Sequence, residues 1–137
     1  MVERTTGYGF GIRMRIPFPD AVERAREELA KEGFGVLSEI DVAATLKKKL
    51  DVDFPPYLIL GACNPPLAHR ALTAEPDIGL LLPCNVIVRD AGEGHTVVAA
   101  MDPSAALSLA DNPGVAEVAA EVDERLRRVL EGVAAGA

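Results

Sequence analysis

The chain offers two thiols for chemistry, and each is followed directly by an asparagine, in Cys63-Asn64 and Cys84-Asn85. A thiolate is a nucleophile and a soft metal ligand, so both cysteines are candidate catalytic residues. Cys63 stands just before a predicted helix, whose positive end lowers the pKa of a nearby thiol. Cys84 shares a strand face with Leu82, which favours an inert core thiol. We interpret both cysteines as core residues. The alternative is a thiol-dependent enzyme, or a protein that handles sulfur or metal, using Cys63 or Cys84.

Prolines and amides beside these thiols predict a local groove. The candidate ligand-binding residues are Asn64, Pro65, Cys84 and Asn85. Asn64 has a structural alternative, because Asn followed by Pro is typical of a helix N-terminus. Pro83 and Asn85 alternate with Cys84, so their side chains should point away from the core, toward a sheet edge, a bulge or a partner.

Neither a metal nor another cofactor is predicted. Zinc ligands usually come in closely spaced pairs, whereas Cys63, His69, Cys84 and His95 are well separated. The chain also has no phosphate-binding glycine loop, no dinucleotide fingerprint and no hydrolase nucleophile motif. The sequence therefore carries no signature of a kinase, a dehydrogenase or a standard hydrolase.

Glu39 and Asp41 lie two residues apart, so both side chains should point to one side of a strand. Paired carboxylates can perform acid–base chemistry or hold a cation. We interpret them instead as a solvated face on which Asp41 also caps the next helix, because no third oxygen ligand follows at calcium-loop spacing.

Charge and composition limit the partners. The 137 residues carry a net charge of −7, which repels nucleic-acid phosphates and anionic lipid, so neither nucleic acid nor a membrane is a predicted partner. Residues 1–18 lack the apolar run of a signal peptide, and two cysteines do not make a disulfide framework. We therefore expect a reducing cytoplasm. Three Asn, no Gln and ten Pro fit either a heat-adapted source or GC-rich coding.

Hydrophobic periodicity predicts a single α+β domain over residues 1–137. Its core order is β-α-β-β-β-β-α, with two short helices inserted. The predicted strands are residues 8–16, 34–42, 57–63, 78–90 and 95–102. A glycine-containing turn joins the last two strands as a hairpin, which implies a single curved, mostly antiparallel, five-stranded sheet with the two long helices on one face. The uncovered face predicts a homodimer.

The same periodicity places particular side chains. Leu46 and Leu50 of the first short helix are expected to face inward, and Leu80 is expected on the same strand face as Cys84. Asn112 is predicted to cap the last long helix, whose apolar residues recur at spacings of three and four.

Three segments, in order, resemble a known family: KEGFGVLSEIDVAATLKKKL, YLILGACNPPLAHRAL and EPDIGLLLPCNVIVRD. Together they make the chain similar to the prokaryotic domain-of-unknown-function family 302, from Tyr8 to about Leu130. The resemblance implies a small α+β domain, often dimeric, with a topology similar to TATA-box-binding-protein-like folds. It brings no established activity, cofactor or catalytic residue, and fold alone does not supply a function.

The leading functional hypothesis is an uncharacterised small cytoplasmic dimer that binds a small ligand or a protein partner in the predicted groove. A thiol-dependent enzyme is the first alternative. A structural subunit of a larger complex is the second, and it predicts an extensive exposed apolar patch.

Overall fold

Six strands form one antiparallel sheet in the computed structural model, which describes residues 2–136. In chain order the strands are β1 (Glu3–Thr6), β2 (Gly9–Met14), β3 (Gly35–Asp41), β4 (Tyr57–Cys63), β5 (Cys84–Gly92) and β6 (His95–Met101). Their order across the sheet is β1-β2-β6-β5-β4-β3, so β1 and β3 form its two edges. The α+β class and the single sheet are confirmed, but the prediction of five strands is wrong.

The additional strand, β1, carries no hydrophobic signal. All four of its residues are exposed, so the alternation of apolar and polar residues that marks a half-buried strand is missing. Backbone pairing with β2 holds β1 in place, as does Arg4, whose guanidinium lies 2.6 Å from the carboxylate of Asp102. A strand that depends on its neighbours in this way is not detectable from its own residues.

Five α-helices and two short 3₁₀ helices complete the fold. The α-helices are α1 (Phe18–Lys31), α2 (Val42–Leu50), α3 (Pro65–Ala74), α4 (Pro103–Ala106) and α5 (Pro113–Ala135), and the 3₁₀ helices are Pro76–Leu81 and Leu107–Ala110. The side-chain oxygens of Asp41, Asn64 and Asn112 accept hydrogen bonds from the first turns of α2, α3 and α5. These are the caps that the sequence predicted, and they satisfy amides that would otherwise lack a partner.

The long helices α1 and α5 contact each other and cover one face of the sheet. The apolar stripe of α5 is buried along its length: Val115, Val118, Val122, Leu126, Val129 and Val133. Alternate residues of the central strands meet it from below and are fully buried: Phe10, Leu60, Val86 and Val98. The core therefore lies between one sheet face and two helices, as the periodicities of 2 and 3.6 predicted.

The fourth predicted strand begins six residues too early. Its first part forms the 3₁₀ helix Pro76–Leu81, and β5 starts only at Cys84, after a cis bond between Leu82 and Pro83. Leu80, expected on the same face as Cys84, is 87% exposed. Pro83 has no N–H to donate to a ladder, so strand pairing begins after it.

Helix α2 is also less buried than predicted. Leu46 and Leu50 were expected to face inward, but α2 has no buried residue, and Leu50 is 65% exposed. The helix connects the edge strand β3 to β4, where the chain has little sheet to cover. Amphipathic spacing predicted the helix correctly, whereas its burial depended on position in the fold.

Candidate functional site

A cavity of about 360 Å³ lies where β4 ends and β5 begins. We call it the thiol cavity. Its walls come from α3, the first half of α5, the start of β3 and the segment before β5. Its lining includes Phe34, Cys63, Leu67, Cys84, Val118 and Val122. Both cysteines of the chain thus face one apolar space, although they are 21 residues apart in the sequence.

Cys84 is the deeper thiol. It is almost fully buried at the start of β5, paired in register with Ala62 of β4. Burial, together with a smaller contribution from the neighbouring Cys63 thiol, raises the pKa of Cys84 to about 11. The thiol is therefore protonated and a poor nucleophile near neutral pH. This environment fits the prediction of a core cysteine.

Cys63 is half-buried and ends β4. It stands directly before Asn64, the N-cap of α3, as the sequence predicted. Its partial exposure and its place in the cavity wall make Cys63 the more accessible thiol of the pair. A thiol so placed can contact whatever enters the cavity.

Asn64 lines the same cavity but has both ends of its amide engaged. Its Oδ1 accepts from the Leu67 amide at 3.4 Å, and its Nδ2 donates to the Glu32 carbonyl at 3.2 Å. The second bond ties the turn after α1 to the start of α3, which fixes one wall of the cavity. Asn64 therefore acts as a helix cap and a brace between two segments.

The remaining two predicted ligand residues lie elsewhere. Pro65 is exposed at the first position of α3 and does not line the cavity. Asn85 is exposed on the opposite side of β5, in a separate depression. The structure therefore brings Asn64 and Cys84 together and separates both from Asn85, as expected from the alternation of side chains along a strand.

The depression at Asn85 is a trough of about 420 Å³ on the sheet face that α1 and α5 leave uncovered. We call it the open-face trough. Tyr8 and Tyr57 lie at its sides, and its lining also includes Gly9, Asn85, Arg89, Val97, Ala99 and Met101. Gly11 of β2 pairs with the trough residue Ala99 and has no room for a side chain: a Cβ there would lie 2.6 Å from the Val98 oxygen and 2.8 Å from the Ala99 Cβ.

The carboxylates Glu39 and Asp41 do not form a catalytic pair. Glu39 is ion-paired with Arg26 of α1, and Asp41 accepts the Ala44 amide at 2.9 Å. Within residues 2–136 no three His, Cys, Asp or Glu side chains are grouped so that they could hold a metal ion. His69 is a surface residue on α3. In the part of the chain that the structure describes, no helix is both long and apolar enough to cross a membrane.

Sequence inspection missed much of the thiol cavity. Phe34, Leu107 and Val118 come from three distant segments, and each looks like an ordinary core residue in its own segment. It also missed Tyr8 and Arg89 of the open-face trough. The available signal was the strand period, which places Arg89 on the same face as Asn85, four residues earlier.

A six-stranded antiparallel sheet with two long helices on one face defines a small α+β protein. The family model described as Domain of unknown function DUF302 matches residues 10–133. The chain belongs to the DUF302 family, and the predicted resemblance is confirmed. The likeness to TATA-box-binding-protein-like topology stays a prediction.

A solved structure agrees with this assignment. The crystal structure of an uncharacterised conserved DUF302 protein from Bacillus stearothermophilus is similar, with a TM-score of 0.83 and 31% sequence identity. The similarity covers 90% of this chain and 96% of that chain. A search of curated proteins finds no match.

Proposed function

We propose that the protein binds a small molecule in the thiol cavity. One observation carries the proposal: about 360 Å³ of space is walled by apolar side chains and two free thiols, with the one amide in the wall already bonded within the protein. Ligand sites in proteins are typically apolar concavities of roughly 300–1,000 Å³ with few polar groups. The predicted ligand residues Asn64 and Cys84 support this site, whereas Pro65 and Asn85 do not belong to it.

Filling the cavity tests the proposal. Ala68 of α3 is half-buried and lines the cavity, so Ala68→Phe places a ring in the space without replacing a core residue. Ala120→Phe adds the same ring on an exposed position of α5 and serves as the control. The small apolar dye 1-aminoanthracene fluoresces more strongly in dry sites. It should bind to the wild type and to the control, and at least tenfold more weakly to the filled variant. Equal binding by all three proteins would contradict the proposal.

A homodimer through the open-face trough is a second proposal. Val97 and Ala99 are 7% and 9% exposed, although neither α1 nor α5 covers that face, and Tyr8 stands beside them largely exposed. A face with small residues bordered by tyrosines suits contact with an identical face, because a two-fold axis matches each patch to itself. The mass of the particle in solution tests whether the protein is a dimer.

The single domain, the cytoplasmic location and the absence of nucleic-acid binding are further proposals. One continuous hydrophobic core supports a single domain over residues 1–137. Free thiols support a reducing compartment such as the cytoplasm. The net charge of −7 opposes nucleic-acid binding. A thiol-dependent reaction would fall to Cys63, because burial keeps Cys84 protonated.

A further inference from the structure

The wall of the thiol cavity contains no charged side chain among the residues that the structure describes. Its polar members are Ser38, Asn64 and the two thiols, and every other lining residue is apolar or glycine. An ion in such a space would lose its hydration without gaining a partner, which is costly. We propose that the ligand of this cavity is a neutral, mostly hydrocarbon molecule with a single small polar group. This inference rests on the proposed function and specifies its ligand class.

The polar group of the ligand belongs at the rim of the cavity, in contact with water. Both ends of the Asn64 amide are occupied, and the Cys84 thiol is buried. The Ser38 hydroxyl sits over Gly61, which pairs with Asn85, so it points to the sheet face opposite Cys84. A hydroxyl or carbonyl group at the rim stays hydrated and leaves the hydrocarbon part of the ligand among the leucines and valines of the interior.

Volume sets the size of the ligand. A water molecule takes about 30 Å³ of liquid and a methylene group is similar in size, so the cavity of about 360 Å³ holds roughly a dozen heavy atoms. Medium-chain alcohols, aldehydes and neutral terpenoids fall in this range. Nucleotides and other polyanions exceed it and bring charges that the wall does not match.

The apolar entrance of the cavity and the negative net charge of the protein also favour a neutral ligand over an anionic one. Leu37 and Leu72 line the cavity and remain 72% and 42% exposed, so its rim is itself apolar. The acidic protein repels anions at long range, which disfavours fatty carboxylates of equal chain length. Neutral amphiphiles avoid both the repulsion and the cost of burying a charge.

Three ligands with one chain length and different head charges test the inference: 1-decanol, decanoate and decyltrimethylammonium. Displacement of 1-aminoanthracene, below the concentrations at which these compounds aggregate, reports their affinities. We expect decanol to bind at least tenfold more tightly than either ion. Equal or tighter binding of an ion would overturn the ligand class while leaving a binding cavity. Failure of 1-aminoanthracene and of all three ligands to bind would overturn the proposed function as well.

A charge placed at the cavity gives an independent test. Ala68→Lys should shift the preference toward decanoate by at least fivefold relative to decanol, because the ammonium supplies the missing partner. Ala68→Met fills a similar part of the cavity without the charge, so it should weaken all three ligands alike and leave the ratio of their affinities unchanged. Circular dichroism confirms that both variants are folded. An unchanged preference in folded Ala68→Lys would show that these ligands bind elsewhere and would overturn the inference.

Discussion

The two Cys-Asn pairs of the chain lie in different surroundings. The period of β5 correctly put Cys84 on the core side. The Asn-Pro pair correctly gave Asn64 as a cap. However, the two asparagines that follow the thiols have unrelated surroundings, because Asn64 begins a helix while Asn85 lies on the uncovered sheet face. A shared dipeptide does not make a shared site, since local backbone direction decides where each side chain points.

Thiol reactivity should separate the two cysteines. At pH 7.5 a chromogenic disulfide reagent should label Cys63 in the folded protein, and Cys84 only after unfolding in guanidinium. Burial raises the pKa of Cys84 to about 11, so little thiolate is present at pH 7.5. Burial also keeps the reagent from reaching the sulfur. Cys63→Ala should therefore abolish labelling in the native state. Rapid labelling of that folded variant would show that Cys84 is reactive and would revive the enzyme alternative.

Asp102 should make stability depend on acid pH. Burial alone would raise its pKa, but hydrogen bonds from Arg4 and from the first turn of α4 lower it overall. Because the folded pKa lies below the unfolded one, the ionised carboxylate stabilises the fold above about pH 4, and this stabilisation is lost as the pH falls through the folded pKa.

Asp102→Asn keeps an acceptor for the Ala105 amide and removes the charge that Arg4 contacts. We expect a loss of about 1–2 kcal/mol in the free energy of unfolding at pH 7, because Arg4 is half-exposed and its bond is partly screened. The difference from wild type should shrink below pH 4. Asp111→Asn removes an exposed carboxylate of equal charge and should change stability little at either pH. Urea unfolding at both values measures these effects.

At the scale of elements, helices and strands were predicted correctly where the residue pattern that defines them lies within the element itself. The stripe of α5 and the caps of α2 and α3 depend on residues a few positions apart, and both were predicted. The turn between β5 and β6 was also recognisable, since Gly92 and Gly94 supply its positive φ angles. Prediction failed at β1, which has no apolar face of its own, and at Pro76–Leu81, whose apolar run fits a strand equally well.

Gly11 should be essential for the pairing of β2 with β6. It faces Ala99 in register, and an added Cβ would come within 2.9 Å of three atoms of Val98 and Ala99, two of them backbone atoms. Gly11→Ala should lower the free energy of unfolding by about 1–3 kcal/mol, as expected of an overpacked site. Gly7→Ala is the matched control, because no atom lies within 4 Å of a Cβ at that position. Equal stability of the two variants would mean that the strands separate at little cost.

At the scale of the whole molecule, one face of the sheet is left uncovered by the long helices. Long helices cover only one face, and the open-face trough leaves Tyr8 exposed beside two nearly buried small residues, Val97 and Ala99. The exposed apolar residues Leu80 and Leu109 lie in the 3₁₀ helices instead, so exposed hydrophobic surface is not confined to one patch. A test of association must therefore distinguish these surfaces.

Light scattering after gel filtration should give twice the mass of one chain for the wild type. Tyr8→Arg should give a monomer, because two arginines would meet across the two-fold axis of the proposed interface. Leu109→Arg carries the same change at an equally exposed apolar residue outside the trough and should remain dimeric. A wild-type monomer at micromolar concentration, or dissociation by Leu109→Arg alone, would contradict an interface at the open-face trough.

The sequence by itself determined the family, the α+β class, the helix caps and the inward stripes of α5 and the central strands. All of these follow from patterns a few residues long or from linked segments in order. Only the tertiary structure decided which residues share a site. Cys63 meets Cys84 and the distant Val118 in one cavity, while Asn85, next to Cys84 in the chain, faces the opposite side of the sheet. The physical reason is that a cavity is the space left between packed elements, and its walls depend on strand order and helix placement rather than on any local sequence pattern.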